Sequence, residues 1–329
     1  MKELNTDDRI IEMLEKCRGE SVSGEELAER LSVSRAAVWK RIKKLREKGY
    51  KIDAVNNSGY MLSKNDDKLS AGGIIPYLDK PDYADLLYVY DEIDSTNTEA
   101  KRRIIEGASE GTVIAADSQT SGRGRLGRNF FSPPGSGIYL SFILKPKMTA
   151  EKSLAITAAA AVAACHAIEE VTEKKPKIKW VNDLFLDGKK ICGILTEAVS
   201  GLETGNIDAV VIGIGINCTT VFGGELGDIA GSLYDKDSDT AAIRNRLAAE
   251  LINQLYRLTD MLADGGFIDE YRKRSIIMGK EITICGEAES LYTVEDIGDL
   301  GELVLKSGNG DRRILNTGEV SIRIAERKD

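Results

Sequence analysis

Hydrophobic positions in the first 64 residues recur with helical spacing in short segments. Ile10, Ile11 and Leu14 predict a first helix, because residues three and four apart lie on the same helix face. Ser23 stands three residues before Glu26, which is the spacing of a capping box and predicts the start of a second helix. Two short helices are therefore expected before residue 32.

A third helix is predicted to begin at Ser34 and to end at Gly49. Val38, Ile42 and Leu45 form its inner, apolar face. The residues that follow alternate between apolar and polar, and the Asn-Ser-Gly segment 57–59 is a turn, so a β-hairpin is expected. Helices followed by a hairpin in this order predict a winged helix-turn-helix.

The outer face of the third helix is basic. The segment Arg35–Lys51 holds eight basic residues and one acidic residue. Such a face is attracted to DNA phosphates, and residues near the start of a recognition helix can reach base edges. A solvated helical bundle, or a protein-contact module of the same fold, is the alternative. We prefer DNA binding, by Ser34, Arg35, Ala36, Lys40 and Lys43.

Longer apolar runs follow a polar linker and predict a mixed, largely β sheet backed by helices. Strands are expected near 87–91, 111–120, 138–146 and 209–218, a hairpin at 177–199, and helices at 151–173 and 242–262. From about residue 276 the apolar runs become short and alternate, with turns every five to ten residues, which is typical of a small β-barrel. Three domains are therefore predicted, with boundaries at 1–66, 67–275 and 276–329.

Composition narrows the class of protein. The net charge is −8, but residues 1–64 hold 14 Lys and Arg against 11 Asp and Glu, so the acidic charge lies in the remainder of the chain. The five cysteines are scattered, which favours reduced thiols in a cytoplasmic protein over disulfides or zinc. No apolar run approaches the ~20 residues of a membrane helix, and the first residues do not resemble a secretory signal. The single histidine, His166, is expected to be a helix residue, so histidine-based nucleophilic catalysis is disfavoured.

One loop combines glycines and arginines. Gly122, Gly124 and Gly127 have the spacing G-x-G-x-x-G, but Pro133 and Pro134 prevent the helix that a dinucleotide fingerprint requires. The other motifs of a protein kinase and the Walker pattern do not occur in the sequence. The arginines that alternate with these glycines favour an anion site over a nucleic-acid tether, because guanidinium groups bind phosphate or carboxylate bidentately.

A second polar cluster follows in the segment 177–199. Lys179 and Lys190 flank a hairpin, and Lys190 precedes the apolar segment 191–195. A lysine at the start of a strand can direct its charge into a pocket, although a solvated turn would have the same sequence. This signal alone leaves both interpretations open.

Five motifs together resemble those of biotin protein ligases: DSTN at 94–97, QTSGRGRLGR at 119–128, KWVNDL at 179–184, KKICGIL at 189–195 and GIGIN at 213–217. With the basic helix, the chain is similar to the bifunctional form that also represses biotin genes. The resemblance covers nearly the whole chain. It implies an α+β multidomain protein with a winged helix-turn-helix, a class II synthetase-like catalytic domain with a central mixed β-sheet and helices, and a small SH3-like β-barrel.

The resemblance also implies substrates and partners. Biotin and Mg-ATP would form biotinyl-5′-AMP, and biotin would then pass to a lysine of the biotin carboxyl carrier protein of acetyl-CoA carboxylase. No tightly bound prosthetic group is expected. A homodimer that forms with biotinyl-AMP bound would present two winged helices to an operator, and the turn near residue 203 is its candidate interface.

The family's site residues carry over by motif. Biotin would be bound by Ser95, Thr96, Asn97, Gln119, Gly122, Arg123, Gly124, Arg125, Lys190 and Gly193. The nucleotide would be bordered by Arg125, Arg128, Phe130, Asn182, Asn217 and Arg244. Catalysis would rest on Lys190, Arg125 and Asp183, with Asp183 also associated with Mg²⁺.

Two departures and three alternatives remain. Phe130 stands where some members have another aromatic residue, and Val181 where proline is common. A lipoate or other acyl ligase of the same fold would have the same adenylate chemistry. A non-catalytic biotin-sensing repressor would not need Lys190 and Asp183, and a ligase whose helix-turn-helix has lost DNA binding would not need the basic helix.

Overall fold

The structure is a computed structural model, and it describes residues 4–145, 153–200, 207–236, 238, 242–284, 291–316 and 322–324. The predicted interface turn near residue 203 and parts of the C-terminal segment lie outside these residues.

The N-terminal unit is a winged helix-turn-helix. Its helices are α1 Thr6–Lys16, α2 Gly24–Leu31 and α3 Arg35–Glu47, and its strands are β1 Ser21–Val22, β2 Ile52–Val55 and β3 Gly59–Leu62. The strands form an antiparallel sheet in the order β1-β3-β2. This arrangement confirms the predicted class of the first domain.

Local sequence signals set the ends of its helices. The hydroxyl of Ser23 accepts a hydrogen bond from the Glu26 amide at 3.0 Å and caps α2. Ser34 caps α3 in the same way and accepts from the amide of Ala37 at 3.2 Å. The inner face of α3 is buried, as predicted, in a hydrophobic core that belongs to this unit alone.

The central unit is built on a seven-stranded mixed sheet. Its strands are β4 Leu87–Ile93, β5 Val113–Gln119, β6 Gly137–Leu144, β7 Lys177–Lys179, β8 Asp183–Leu186, β9 Lys189–Ser200 and β10 Ile207–Asn217. Their order is β4-β5-β6-β10-β9-β8-β7, in which β4 and β5 are parallel and the other neighbours antiparallel. The predicted strands and the hairpin are therefore present.

Helices cover this sheet. They are α4 Ala71–Ile74, α5 Thr96–Ile105, α6 Ser153–Thr172, α7 Glu225–Ile229, α8 Ile243–Tyr256, α9 Leu258–Asp264 and α10 Phe267–Arg274. Helix α6 corrects one expectation, because its segment Leu154–Thr172 is long and apolar enough to cross a membrane. About 78% of that window is buried inside the protein, as in the core helix of a globular domain. His166 lies on this helix, as predicted.

The C-terminal unit is a five-stranded antiparallel sheet. Its strands are β11 Glu281–Ile284, β12 Leu291–Ile297, β13 Leu303–Ser307, β14 Arg312–Leu315 and β15 Ile322–Ile324, in the order β14-β13-β12-β11-β15. In the described residues the two outer strands do not pair, so the sheet is confirmed but its closure into an SH3-like barrel is not. Its buried residues, such as Val294 and Leu303, belong to the same hydrophobic core as the central unit.

Candidate active site

A cavity of about 390 Å³ opens on the central sheet, where β5, β6, β8, β9 and β10 approach the glycine-arginine loop. Most of the predicted ligand-binding residues line it, namely Ser95, Thr96, Asn97, Gln119, Arg123, Gly124, Arg125, Arg128, Phe130, Asn182, Asp183, Lys190 and Gly193. The sequence motifs therefore meet at one place, although up to about 100 residues separate them.

One wall of the cavity is a set of hydrogen-bonded polar side chains. Ser95 caps α5 and places Thr96 and Asn97 in the helix's first turn, where all three are buried. Gln119, at the end of β5, accepts from the Thr96 amide through Oε1 at 2.8 Å and donates to Ser132 Oγ through Nε2 at 2.9 Å. These bonds fix the orientation of the Gln119 amide.

The glycine-arginine loop, residues 122–130, folds back on itself above the sheet. The Gly124 amide donates to the Arg128 carbonyl at 2.7 Å, and the Phe130 amide donates to the Gly122 carbonyl at 2.9 Å. At the tip, Leu126 has φ +55° and Gly127 has φ +72°. Gly122 does not line the cavity; it packs under the loop, where a Cβ would lie 2.4 Å from the Phe130 carbonyl oxygen.

Arg125 ties this loop to the floor of the cavity. Its Nη1 donates to Asn182 Oδ1 at 3.0 Å, and Asn182 Nδ2 donates to the Ile194 carbonyl at 2.7 Å. Burial lowers the pKa of the Arg125 guanidinium, although Asp183 opposes that effect. A guanidinium pKa lies so far above neutrality that Arg125 still carries its charge into the cavity.

Lys190 and Asp183 form an ion pair in the lining of the same cavity. Lys190 Nζ lies 2.7 Å from Asp183 Oδ1, and both side chains are about one-quarter exposed, at 29% and 26%. Asp183 Oδ1 has no hydrogen-bond partner among the described residues, so its contact with Lys190 is ionic. A ligand with anionic oxygens can therefore compete for Lys190.

Of the described residues that line the cavity, Asp183 is the one with a carboxylate. The described part of the chain contains no group of three or more potential metal ligands. A single carboxylate would suffice for Mg²⁺, which is commonly held by one or two protein carboxylates together with substrate phosphates.

Two predicted nucleotide residues lie outside the cavity lining. Asn217 is buried and donates to the Gly231 carbonyl at 3.0 Å. Arg244 is almost fully buried and makes ion pairs with Asp67 at 3.1 Å and Asp117 at 2.6 Å. With these partners Arg244 fixes the polar interdomain linker, residues 63–70, to β5. Its predicted contact with nucleotide gains no support from this arrangement.

Several lining residues were not predicted from the sequence. Tyr139, Trp180, Ile194, Leu195, Gly213, Ile214, Gly215 and Ile229 line the cavity as well. Gly213 and Gly215 could have been found from the alternation in GIGIN, because a strand that places glycine at every second position leaves one face of the sheet free of side chains. A Cβ at Gly213 would lie 2.1 Å from Asn97 Oδ1.

The predicted DNA-contact residues lie at the N-cap and on the exposed surface of α3. Ser34, Arg35, Ala36, Lys40 and Lys43 are all exposed, and Trp39 beside them is 56% exposed. Arg41 and Lys48 instead bind Asp7 on α1 at 2.9 and 3.1 Å, so they hold the helices together. The exposed basic residues remain available to phosphates.

The chain is similar to known ligases over both its N-terminal and its central unit. Residues 89–217 match the biotin/lipoate A/B protein ligase family, and residues 7–61 match an HTH domain. The bifunctional ligase/repressor BirA of Escherichia coli is 31% identical over 99% of this chain and 100% of that protein. The Bacillus subtilis protein of the same name is 40% identical over 68% of this chain and 69% of that protein.

A solved structure agrees with these relatives. The biotin protein ligase of Aquifex aeolicus in complex with biotin and ATP has a TM-score of 0.62 and 28% identity, and the match covers 73% of this chain and 99% of that one. The fold is thus that of an enzyme that ligates biotin or a related acyl group. The chain belongs to the biotin protein ligases, in the branch of the bifunctional ligase/repressor BirA.

Proposed function

We propose that the chain activates biotin with ATP to give biotinyl-5′-AMP and pyrophosphate, and then transfers biotin to a lysine of the biotin carboxyl carrier protein of acetyl-CoA carboxylase. The main observation in support is that one cavity joins a neutral polar wall at Thr96 and Gln119 to the cations Arg125 and Lys190. Such a cavity suits a ligand with a neutral polar ring at one end and a carboxylate at the other.

The first step joins two anions. A biotin carboxylate oxygen attacks the α-phosphorus of ATP, a P–O bond forms, and pyrophosphate leaves with the electron pair of the broken bond. Lys190 and Arg125 offset the negative charge of the two reactants and hold them in line. Mg²⁺, held by Asp183 and the phosphates, would supply further positive charge when bound. Asn182, which already accepts a hydrogen bond from Arg125, would lie beside the nucleotide.

The second step transfers biotin. The neutral amine of the carrier lysine attacks the carbonyl carbon of biotinyl-5′-AMP, the amide bond forms, and AMP leaves. Asp183, which lines the cavity, would take the proton of that amine. The loop with Arg123 and Arg125 would cover the intermediate and exclude water until the carrier arrives.

A regulatory role follows from the N-terminal unit. Helix-turn-helix proteins commonly bind two-fold sites as dimers, and the exposed basic face of α3 suits contact with DNA phosphates. We infer that biotinyl-5′-AMP favours a homodimer that binds an operator and represses biotin genes. Since such a protein acts on DNA, we place it in the cytoplasm.

The direct test mixes the protein with biotin, Mg-ATP and a biotin carboxyl carrier domain, followed by mass spectrometry of the carrier. A mass gain of one biotin supports the proposal. A gain only when lipoate replaces biotin would indicate the other acyl ligase, and binding of biotin without any gain would indicate a non-catalytic sensor.

A further inference from the structure

A row of side chains leads from the surface of α5 and β9 into the wall of the cavity. Lys101 Nζ donates to Glu197 Oε1 at 2.6 Å, and Asn97 Nδ2 donates to Glu197 Oε2 at 2.8 Å. Asn97 Oδ1 lies 2.6 Å from the Ser141 hydroxyl, which lies 2.8 Å from the Thr96 hydroxyl. The first members are half-exposed, whereas Asn97, Ser141 and Thr96 are buried.

Glu197 determines how the Asn97 amide is turned. A carboxylate only accepts hydrogen bonds, and each Glu197 oxygen already has a donor. Burial alone would raise the pKa of Glu197, but the hydrogen bonds from Lys101 and Asn97 outweigh burial and hold it below its usual value. The Asn97 NH₂ group therefore faces Glu197, helped by the Leu195 carbonyl at 3.4 Å, and its oxygen faces Ser141.

The orientation of the Asn97 amide determines which hydroxyl groups donate and which accept along the row to the cavity. Because an amide oxygen cannot donate, Ser141 donates its single hydroxyl hydrogen to Asn97 Oδ1. The Thr96 hydroxyl lies 2.8 Å from Ser141 Oγ but receives no hydrogen from it, and it donates its own hydrogen to Gln119 Oε1 at 3.2 Å. Both lone pairs of the Thr96 hydroxyl, which lines the cavity, are therefore free to accept, whereas a Ser141 that donated to Thr96 would occupy one of them.

We propose, on the basis of the function above, that Glu197 is a positioning residue that fixes the hydrogen-bond direction of this row, so that Thr96 accepts from a ureido N–H of biotin. Glu197 does not line the cavity and acts only through Asn97 and Ser141. A ligand that offered an acceptor instead of an N–H group at this point would be rejected, because two acceptors would face each other.

The test uses Glu197→Gln in the full-length protein. Glutamine has one acceptor oxygen for two donors, and the charged Lys101 competes best for it. The glutamine NH₂ group then faces Asn97, the Asn97 amide turns over, and Ser141 donates to Thr96. We expect the Kd for biotin, measured by calorimetry, to rise about tenfold, the effect of one or two neutral hydrogen bonds.

The double variant Lys101→Met/Glu197→Gln separates positioning from a general structural effect. Without Lys101 the glutamine oxygen is free to accept from Asn97, so the original direction and most of the affinity should return. Glu169→Gln is the matched control, because Glu169 is 26% exposed and ion-paired to Arg274 on α10, whereas Glu197 is 24% exposed. Its Kd for biotin should equal that of wild type.

Two results would overturn the proposal: Glu197→Gln binding biotin as well as wild type, or a double variant as weak as the single one. If Glu197→Gln does not fold, Asn97→Leu removes the acceptor of Ser141, so that Ser141 donates to Thr96 and biotin binding should weaken to at least the same extent. Unchanged binding in Asn97→Leu would also contradict the proposal. A wild-type protein that binds no biotin would instead refute the proposed function, and the two failures are therefore distinct.

Discussion

The ring of Phe130 occupies the space that a side chain at Gly215 would need: a Cβ built on Gly215 would lie 2.4 Å from Phe130 Cε1. The same ring limits Gly193, where a Cβ would lie 3.2 Å from Phe130 Cε2. It also packs edge-on against Tyr139, with ring centroids 6.3 Å apart. Two glycines on neighbouring strands therefore let the glycine-arginine loop rest directly on the sheet.

We predict that Gly215→Ala displaces Phe130 and weakens the binding of biotin and ATP by about tenfold, because relieving such an overlap costs about 1–3 kcal/mol. Calorimetric titration of each substrate measures the effect. Gly266→Ala is the control, since Gly266 has φ −64° and nothing within 4 Å of its would-be Cβ. Unchanged affinity in Gly215→Ala would mean that the ring is not held in place by this contact.

Arg125→Gly should release the adenylate from the site. The substitution removes the bond to Asn182 and one charge beside the phosphate, and charge-assisted hydrogen bonds contribute about 1.5–3 kcal/mol each. We expect the lifetime of bound, labelled biotinyl-5′-AMP on a filter to fall at least about tenfold. Arg125→Lys, which keeps the charge without the planar fork, should be intermediate. A lifetime equal to wild type would contradict the lid role of the loop.

Arg244→Ala should destabilise the protein rather than impair chemistry. It leaves Asp67 and Asp117 without the cation that joins them, and removing one partner of a buried pair costs about 3–5 kcal/mol. The free energy of unfolding in urea measures the loss. Arg246→Ala, two residues further along α8 and exposed, should change it by less than about 0.5 kcal/mol. Equal stability of the two variants would contradict a structural role for Arg244.

The basic face of α3 should account for the salt dependence of DNA binding. We predict that Lys40→Ala/Lys43→Ala reduces the salt slope of binding to a random-sequence duplex by about two, one for each lost phosphate contact. Fluorescence anisotropy at several salt concentrations gives the slope. Lys80→Ala, which removes a lysine that lies over Tyr83 in the central unit, should leave the slope unchanged. A salt slope equal to that of wild type in the double variant would support the alternative that the helix-turn-helix has lost DNA binding.

Local signals made much of the fold predictable. Ser23 and Ser34 cap their helices as their spacing predicts, and the apolar face of α3 is buried as its periodicity predicts. The motif residues of the cavity could be identified because each motif is specific, but their geometry could not. The bond between Asn97 and Glu197 joins positions 100 residues apart, and only the sheet order brings them together.

Arg244 shows the limit of motif reasoning. In the sequence it is one arginine of a basic helical segment, and its burial depends on two aspartates from the linker and β5 that no local pattern connects to it. The apolar helix α6 is the converse case: its composition alone fits a membrane span, and only its packing against the sheet identifies it as a core helix.

The most direct measurement is the rate of biotinyl-5′-AMP formation, followed as pyrophosphate release from biotin and Mg-ATP in wild type, Lys190→Ala and Lys177→Ala. Lys190 lines the cavity beside Asp183, whereas Lys177 is an exposed lysine on β7. We predict that Lys190→Ala slows the reaction by about a hundredfold to a thousandfold, the usual effect of removing a group that stabilises transition-state charge. Lys177→Ala should match wild type. Equal rates for Lys190→Ala and wild type would contradict the assignment of this cavity as the site of adenylation.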